Sequence, residues 1–171
     1  MKISVDLGCG STIRNPYEAD KVIGIDIHAY PGVMACNLFC EPIPLPDQSV
    51  DFVTAIDFIE HLPRTPIYEP NHVENPFIFC MNQISRVLKT GGTFMHKTPA
   101  YPKPEAFMDP THTNIITEKT IIYFAKIPTE AYEDSYSFIR EISSGYGIQT
   151  RFVLKSSKWE NYHLIQTLEK Y

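Results

Sequence analysis

The run Val5-Asp6-Leu7-Gly8-Cys9-Gly10 constrains the fold of this chain more than any other feature. From Lys2 to Leu7 the residues Ile3, Val5 and Leu7 alternate on one face, as in a half-buried strand, and two glycines follow at once. Glycine carries no Cβ, so the backbone there can turn sharply and approach a ligand closely. Val22–Ile27 is a second strand, Val33–Asn37 a short third and Asp51–Ile56 a fourth. Asn75–Lys89 has helical spacing at Ile78, Met81, Ile84, Ser85 and Leu88, with Asn75 as N-cap, Pro76 at the first position and Gly91-Gly92 as the stop. Thr93–Thr98 reads as a fifth strand. Thr117–Phe124 reads as a short helix capped by Thr117, and Thr150–Lys155 with Tyr162–Leu168 as a hairpin turning around Ser156–Glu160.

This order predicts an α/β fold with an open, mainly parallel sheet and a C-terminal antiparallel hairpin. Helices are reduced after the first three strands: Arg14–Lys21 has little periodicity, and His28–Gly32 leaves no room for one. A length of 171 residues suits one domain spanning residues 1–171. The net charge is −5, with 15 Lys+Arg against 20 Asp+Glu, which disfavours phosphate-tracking nucleic-acid binding. No apolar run approaches the roughly 18–20 residues of a membrane span, and the N-terminus lacks the order of a signal peptide. A soluble cytoplasmic protein is expected, with no membrane partner. Of the four cysteines only Cys36 and Cys40 are close, and no histidine pair completes a zinc set, so no metal site is read here.

In an open parallel sheet, ligands sit outside the carboxyl ends of the strands. Gly8 and Gly10 follow the first strand, Asp26 ends the second, Asn37 follows the third and Asp57 the fourth. From its place Asp26 can accept hydrogen bonds from both hydroxyls of a ribose. Together with the glycine turn it points to a nucleoside-bearing ligand. A dinucleotide motif would have a third glycine where Ile13 stands. Asp6 beside the turn would repel a pyrophosphate but suits a cationic amine or sulfonium. That favours S-adenosyl-L-methionine (SAM) over a nicotinamide cofactor.

The segments VDLGCG (5–10), GIDI (24–27), LPDQSVDFV (45–53), IEHL (59–62), RVLKTGG (86–92) and DPTHTNIIT (109–117), in this order, resemble the class I SAM-dependent methyltransferases, whose sheet is Rossmann-like. The resemblance spans about residues 2–125. It implies that Gly8 and Gly10 pass close to the methionine part of SAM, with Asp6 near its amino group. It implies that Asp26 binds the ribose, that Ile27 and Leu38 cover the two sides of the adenine, and that Asn37 accepts from the adenine amino group. Ile56 and Asp57 would line the methionine end and the acceptor pocket. Thr12 stands in place of the motif's third glycine. His61, after the fourth strand, and Asp109 with His112, after the fifth, are the candidate catalytic residues: a histidine as general base, with Asp109 orienting His112, the alternative being that these residues only hold their loops in shape. The Asp-Pro-Pro-aromatic and Pro-Cys motifs of nucleic-acid methyltransferases are missing, which leans towards a small-molecule acceptor. The alternatives are a non-catalytic SAM-binding protein and, on weaker grounds, an NAD-linked enzyme.

The thin cover over strands one to three predicts self-association. Ile23, Ile25 and Val33 are expected to leave apolar area that a two-fold homodimer would bury. The alternative is that the tyrosine-rich segment 128–147 folds back over that face.

Overall fold

The computed structural model describes residues 1–65, 67–69, 72–128, 138–139 and 142–171. The strands are β1 (Ile3–Leu7), β2 (Lys21–Asp26), β3 (Val33–Ala35) and β4 (Val50–Ile56), then a two-stranded hairpin of β5 (Ile67–Glu69) and β6 (His72–Glu74). Helix α1 (Pro76–Val87) leads into β7 (Leu88–Pro99), a single turn α2 (Glu105–Met108), β8 (Ala125–Lys126), β9 (Phe152–Glu160) and β10 (His163–Lys170). Among the described residues, eight strands form one sheet in the order β3-β2-β1-β4-β7-β10-β9-β8. Strands β1, β2, β3, β4 and β7 run parallel, whereas β10 is antiparallel to both β7 and β9. The fold class is therefore the expected one: a mainly parallel Rossmann-like sheet closed by an antiparallel hairpin. No described helix is long and apolar enough to cross a membrane.

Strand order reverses between β1 and β4. Leu7 lies beside Ile25 on one side and Ala55 on the other, so three strand ends open at one point. Alternation divides the residues between two faces. Val5, Leu7, Ile25, Val53 and Ala55 join Met81, Ile84 and Val87 of α1 in one buried cluster. The neighbours Asp6, Gly24 and Thr54 stand in register on the opposite face. A loop covers that face instead of a helix. An added Cβ at Gly24 would come within 2.6 Å of the Ile13 side chain, and the Tyr17 ring stacks on Phe52 at 4.4 Å and 7°.

This corrects the expectation of a bare apolar face. Ile25 is fully buried, Ile23 and Val33 are half-buried, and Ile23 and Ile25 belong to the face that packs with α1. The premise for the homodimer is thereby removed. Most of the alternative cover, 128–147, lies outside the described residues.

Several boundaries also move. Helix α1 has the expected N-cap, in which Asn75 Oδ1 accepts from the Ile78 N–H at 3.1 Å, but it ends at Val87, ahead of the glycines. Leu88 turns to extended backbone because the edge of β4 is waiting for it: Val50 pairs with Leu88. Residues Thr120–Tyr123 form only a 3-10 turn. Their β-branched side chains disfavour a helix, and the Thr117 N–H donates to Thr120 Oγ1. The late hairpin turns at Asn161-Tyr162, with Asn161 at φ +57°, so Ser156–Glu160 belongs to β9. At the amino ends of the strands, Asp51 accepts from the Ile3 N–H and from the ammoniums of Lys2 and Lys89 at 2.9–3.2 Å. Burial works the other way, yet these donors hold its carboxyl down to about 2.

Candidate functional site

The switch point between β1 and β4 holds an open cavity of about 210 Å3, walled by Gly8, Asp26, Ile27, Asn37, Leu38, Asp57 and His61 together with Cys36, Phe39 and Phe58. Seven residues predicted from sequence thus meet on one cavity. Roomier cavities of about 390 and 570 Å3 elsewhere hold none of the predicted residues.

Each wall residue is placed by local chemistry. Gly8 has φ +62°, and a Cβ there would fall 2.3 Å from the Phe58 ring, so only glycine fits beneath that ring. Gly10 lies off the cavity but governs it, since its N–H donates to Asp26 Oδ2 at 2.9 Å. The His28 N–H donates to Asp26 Oδ1 at 3.0 Å. Each carboxylate oxygen keeps a further lone pair, so Asp26 is a rigid acceptor on the cavity wall. Asn37 closes a turn by accepting from the Phe39 N–H at 3.2 Å. Leu38 is buried, while Ile27 is 56% exposed, an apolar surface left bare beside a carboxylate. Asp57 sits at φ +51°, and its Oδ1 accepts from His163 Nε2 at 2.8 Å.

Asp6 and Ile56 depart from expectation. Asp6 is fully buried behind the glycine turn, where it accepts from Arg14 Nε at 3.0 Å, from the Arg14 N–H at 2.8 Å and from Thr54 Oγ1 at 2.9 Å. Its charge is therefore met inside the protein and does not reach the cavity. Arg14 also donates to the carbonyls of Ile56 and Gly8 at 2.9 and 3.2 Å. The Ile56 carbonyl is tied to this cross-link, and the residue does not line the cavity.

His61, His112 and Asp109 come together, but not as a base and its orienter. Asp109 accepts from the Thr111 N–H and hydroxyl at 2.7 and 2.6 Å, bonds that hold its carboxyl below the usual range. Because Thr111 Oγ1 donates to Asp109, it accepts from His61 Nδ1 at 3.0 Å. Asp109 therefore orients His61 through Thr111, and it does not orient His112, whose Nδ1 donates to the Ala106 carbonyl at 3.3 Å. The two imidazoles meet edge-on, 4.9 Å between centroids.

Sequence reading missed Arg14, His163 and Glu60. Arg14 follows the turn in a stretch without periodicity, and His163 lies 106 residues from Asp57. Glu60 did carry a signal, a carboxylate in the apolar run Ile59-Glu60-His61-Leu62. It is 1% exposed, and that burial pushes its carboxyl up against the bond it receives from Thr98 Oγ1.

Comparison with known proteins agrees with this geometry. Residues 5–96, more than half of the chain, match the family model described as a methyltransferase domain. No curated protein matches. Similar solved structures include a SAM-dependent methyltransferase from Aquifex aeolicus, at 14% identity over 99% of this chain and 82% of that one, with a TM-score of 0.58. Another from Archaeoglobus fulgidus has 16% identity over 99% and 86%, with a TM-score of 0.57. The geranyl diphosphate C-methyltransferase of Streptomyces coelicolor, solved with Mg2+, geranyl-S-thiolodiphosphate and S-adenosyl-L-homocysteine, has 12% identity over 100% and 70%, with a TM-score of 0.56. With its sheet order, its glycine turn and its matched motifs, the chain belongs to the methyltransferase-domain family of class I enzymes, whose methyl donor is S-adenosyl-L-methionine.

Proposed function

We propose that the chain transfers the methyl group of S-adenosyl-L-methionine to a small-molecule acceptor. The observation that carries this reading is the convergence of Gly8, Asp26, Ile27, Asn37, Leu38 and Asp57 on one cavity at the carboxyl ends of the central strands. Asp26 would take the ribose hydroxyls on its remaining lone pairs. Ile27 and Leu38 would flank the adenine, and the Asn37 amide oxygen retains a lone pair for the adenine amino group. When bound, SAM supplies a methyl group already activated on a sulfonium. The protein's part is to exclude water and align the acceptor.

Asp57 and His61 share the cavity wall, with His112 beside His61. Asp57, steadied by His163, is suited to receive a hydrogen bond or proton from an acceptor. His61 keeps Nε2 free, because its Nδ1 proton is held by Thr111. The overall acidity, with Asp26 and Asp57 on the cavity wall, disfavours a polyanionic acceptor such as nucleic acid.

Calorimetry with S-adenosylhomocysteine tests the cofactor assignment. The expected affinity is micromolar, about −8 kcal/mol. Asp26→Ala removes up to two charge-assisted bonds of roughly 1.5–3 kcal/mol each and should weaken binding at least about tenfold. Asp26→Asn, which keeps an acceptor for the Gly10 N–H, separates ligand contact from loop support. Unchanged affinity in both variants refutes the ribose assignment. Radiolabelled methyl transfer into a metabolite pool tests turnover, and cofactor binding without any transfer would favour the non-catalytic alternative.

A further inference from the structure

Glu60, His61 and His112 place one potential donor atom each within 4.8 Å of one another, in a cluster formed by the turn after β4 and the loop after β7. The hydrogen bonds identify the open atoms. His61 Nδ1 faces the Thr111 carbonyl at 3.3 Å and the Thr111 hydroxyl at 3.0 Å, and a carbonyl only accepts, so the proton sits on Nδ1 and Nε2 presents its lone pair. His112 Nδ1 faces the Ala106 carbonyl at 3.3 Å, which leaves its Nε2 open as well. Glu60 uses Oε2 for Thr98, while Oε1 is buried and has no partner among the described residues. A buried carboxylate oxygen without a partner needs an explanation.

We propose that these three side chains bind a divalent transition-metal ion. Both imidazoles already commit their Nδ1–H to protein acceptors, Thr111 for His61 and the Ala106 carbonyl for His112, the arrangement that fixes the tautomer of a metal-ligating histidine. The two loops are held in place without an ion. The Asn114 N–H donates to the Glu60 carbonyl at 2.9 Å, its side-chain amide donates to the Ile59 carbonyl at 3.0 Å, and Thr113 Oγ1 donates to the His61 carbonyl at 3.3 Å. Ligand atoms around a tetrahedral ion with bonds of about 2.1 Å stand roughly 3.4 Å apart, so a cluster whose donor atoms lie within 4.8 Å draws in on binding. Two nitrogens and one oxygen suit Zn2+, Mn2+, Fe2+ or Co2+ better than Mg2+ or Ca2+, which prefer all-oxygen shells. Three protein ligands leave coordination positions open. Since His61 also lines the cavity, an oxygen of the methyl acceptor is the natural occupant. Only that last assignment rests on the methyltransferase reading, and ion binding is measurable with no cofactor present.

The test uses chelator-stripped full-length protein carrying Cys40→Ser, which removes the exposed thiol. Mn2+ is titrated and free ion followed by electron paramagnetic resonance, and Co2+ is followed by visible absorption. The expected result is one ion per chain at micromolar affinity, with a Co2+ spectrum free of thiolate charge transfer. Mg2+ should compete at least about 100-fold less well. His112→Ala lies on a surface loop, and folding of the variant is checked by circular dichroism. It and Glu60→Gln should each weaken binding at least about 100-fold, whereas His28→Ala should leave it unchanged. No saturable binding, affinity unaltered by His112→Ala, or equal affinity for Mg2+ overturns the proposal. Failure to bind S-adenosylhomocysteine would count against the proposed function and leave the ion site standing.

Discussion

Arg14→Met is the substitution whose cost the structure fixes best. The Asp6 side chain is fully buried, and Arg14 is the cation paired with it, itself about 30% exposed. The substitution deletes three bonds, to Asp6 Oδ2, the Ile56 carbonyl and the Gly8 carbonyl. Asp6 keeps the Arg14 backbone N–H and Thr54 Oγ1. Breaking a buried pair from one side costs about 3–5 kcal/mol, and the two remaining donors argue for the lower end, about 3 kcal/mol. For a chain of this size that lowers the melting temperature by roughly 6–12 °C. Urea denaturation is the assay, run as a double-mutant cycle. Asp6→Asn with Arg14→Met should recover much of the loss, a coupling of at least about 1.5 kcal/mol, since no unpaired charge is then left inside. A loss below about 1 kcal/mol for Arg14→Met, or additive effects in the cycle, would refute the claim that Asp6 is held by Arg14.

Further outcomes follow from the same geometry. Gly8→Ala should destabilise far more than Gly10→Ala, because both residues have positive φ (about 1–2 kcal/mol of strain) but only Gly8 has a ring against it, and Phe58→Ala should relieve part of the difference in thermal denaturation. His96, buried and with its pKa pushed down to about 4, folds as a neutral ring. The unfolded ring takes a proton near pH 6.5, so its contribution is complete above that pH, falls by up to about 3 kcal/mol as pH drops towards 4, and should vanish from pH-dependent unfolding curves of His96→Asn. If Asp57 handles the acceptor's proton, Asp57→Asn should lower kcat roughly 100-fold with cofactor affinity retained, and His163→Ala should produce a smaller loss; kcat within a few-fold in both would refute that role for Asp57.

The fold was legible where local chemistry and packing agree. Alternation marked β1, β2 and β4, and Asn75-Pro76 marked the start of α1, because each depends on neighbours in the chain. The end of α1 was not legible from Gly91-Gly92, since the pairing of Leu88 with Val50 outweighs local propensity. The cavity wall was legible because strand ends recur at countable intervals, which brings Gly8, Asp26, Asn37 and Asp57 to one rim. Two relations were hidden. His163 reaches Asp57 only because β10 runs antiparallel to β7, with His163 beside Pro99. Glu60 and His61 meet His112 only because Asn114 ties the loop after β7 to the turn after β4. Partners so distant in sequence leave no periodic trace.

Asp6 shows how a correct family assignment can rest partly on an incorrect step. Its carboxylate beside the glycine turn favours a cationic ligand only if the charge reaches that ligand. Arg14 cancels it at 3.0 Å, so the preference for SAM over a dinucleotide stands on the matched motifs rather than on Asp6. The same arrangement explains how the turn stays ordered with no helix behind it. The N–H groups of a helix's first turn would form a regular array there. Here a single guanidinium spans the Gly8 and Ile56 carbonyls and so joins the ends of β1 and β4 across the switch point. The shape of the cavity then depends on one side chain that never touches it. Arg14→Met should therefore weaken S-adenosylhomocysteine binding as well as stability, and both losses should shrink together when Asp6→Asn is added.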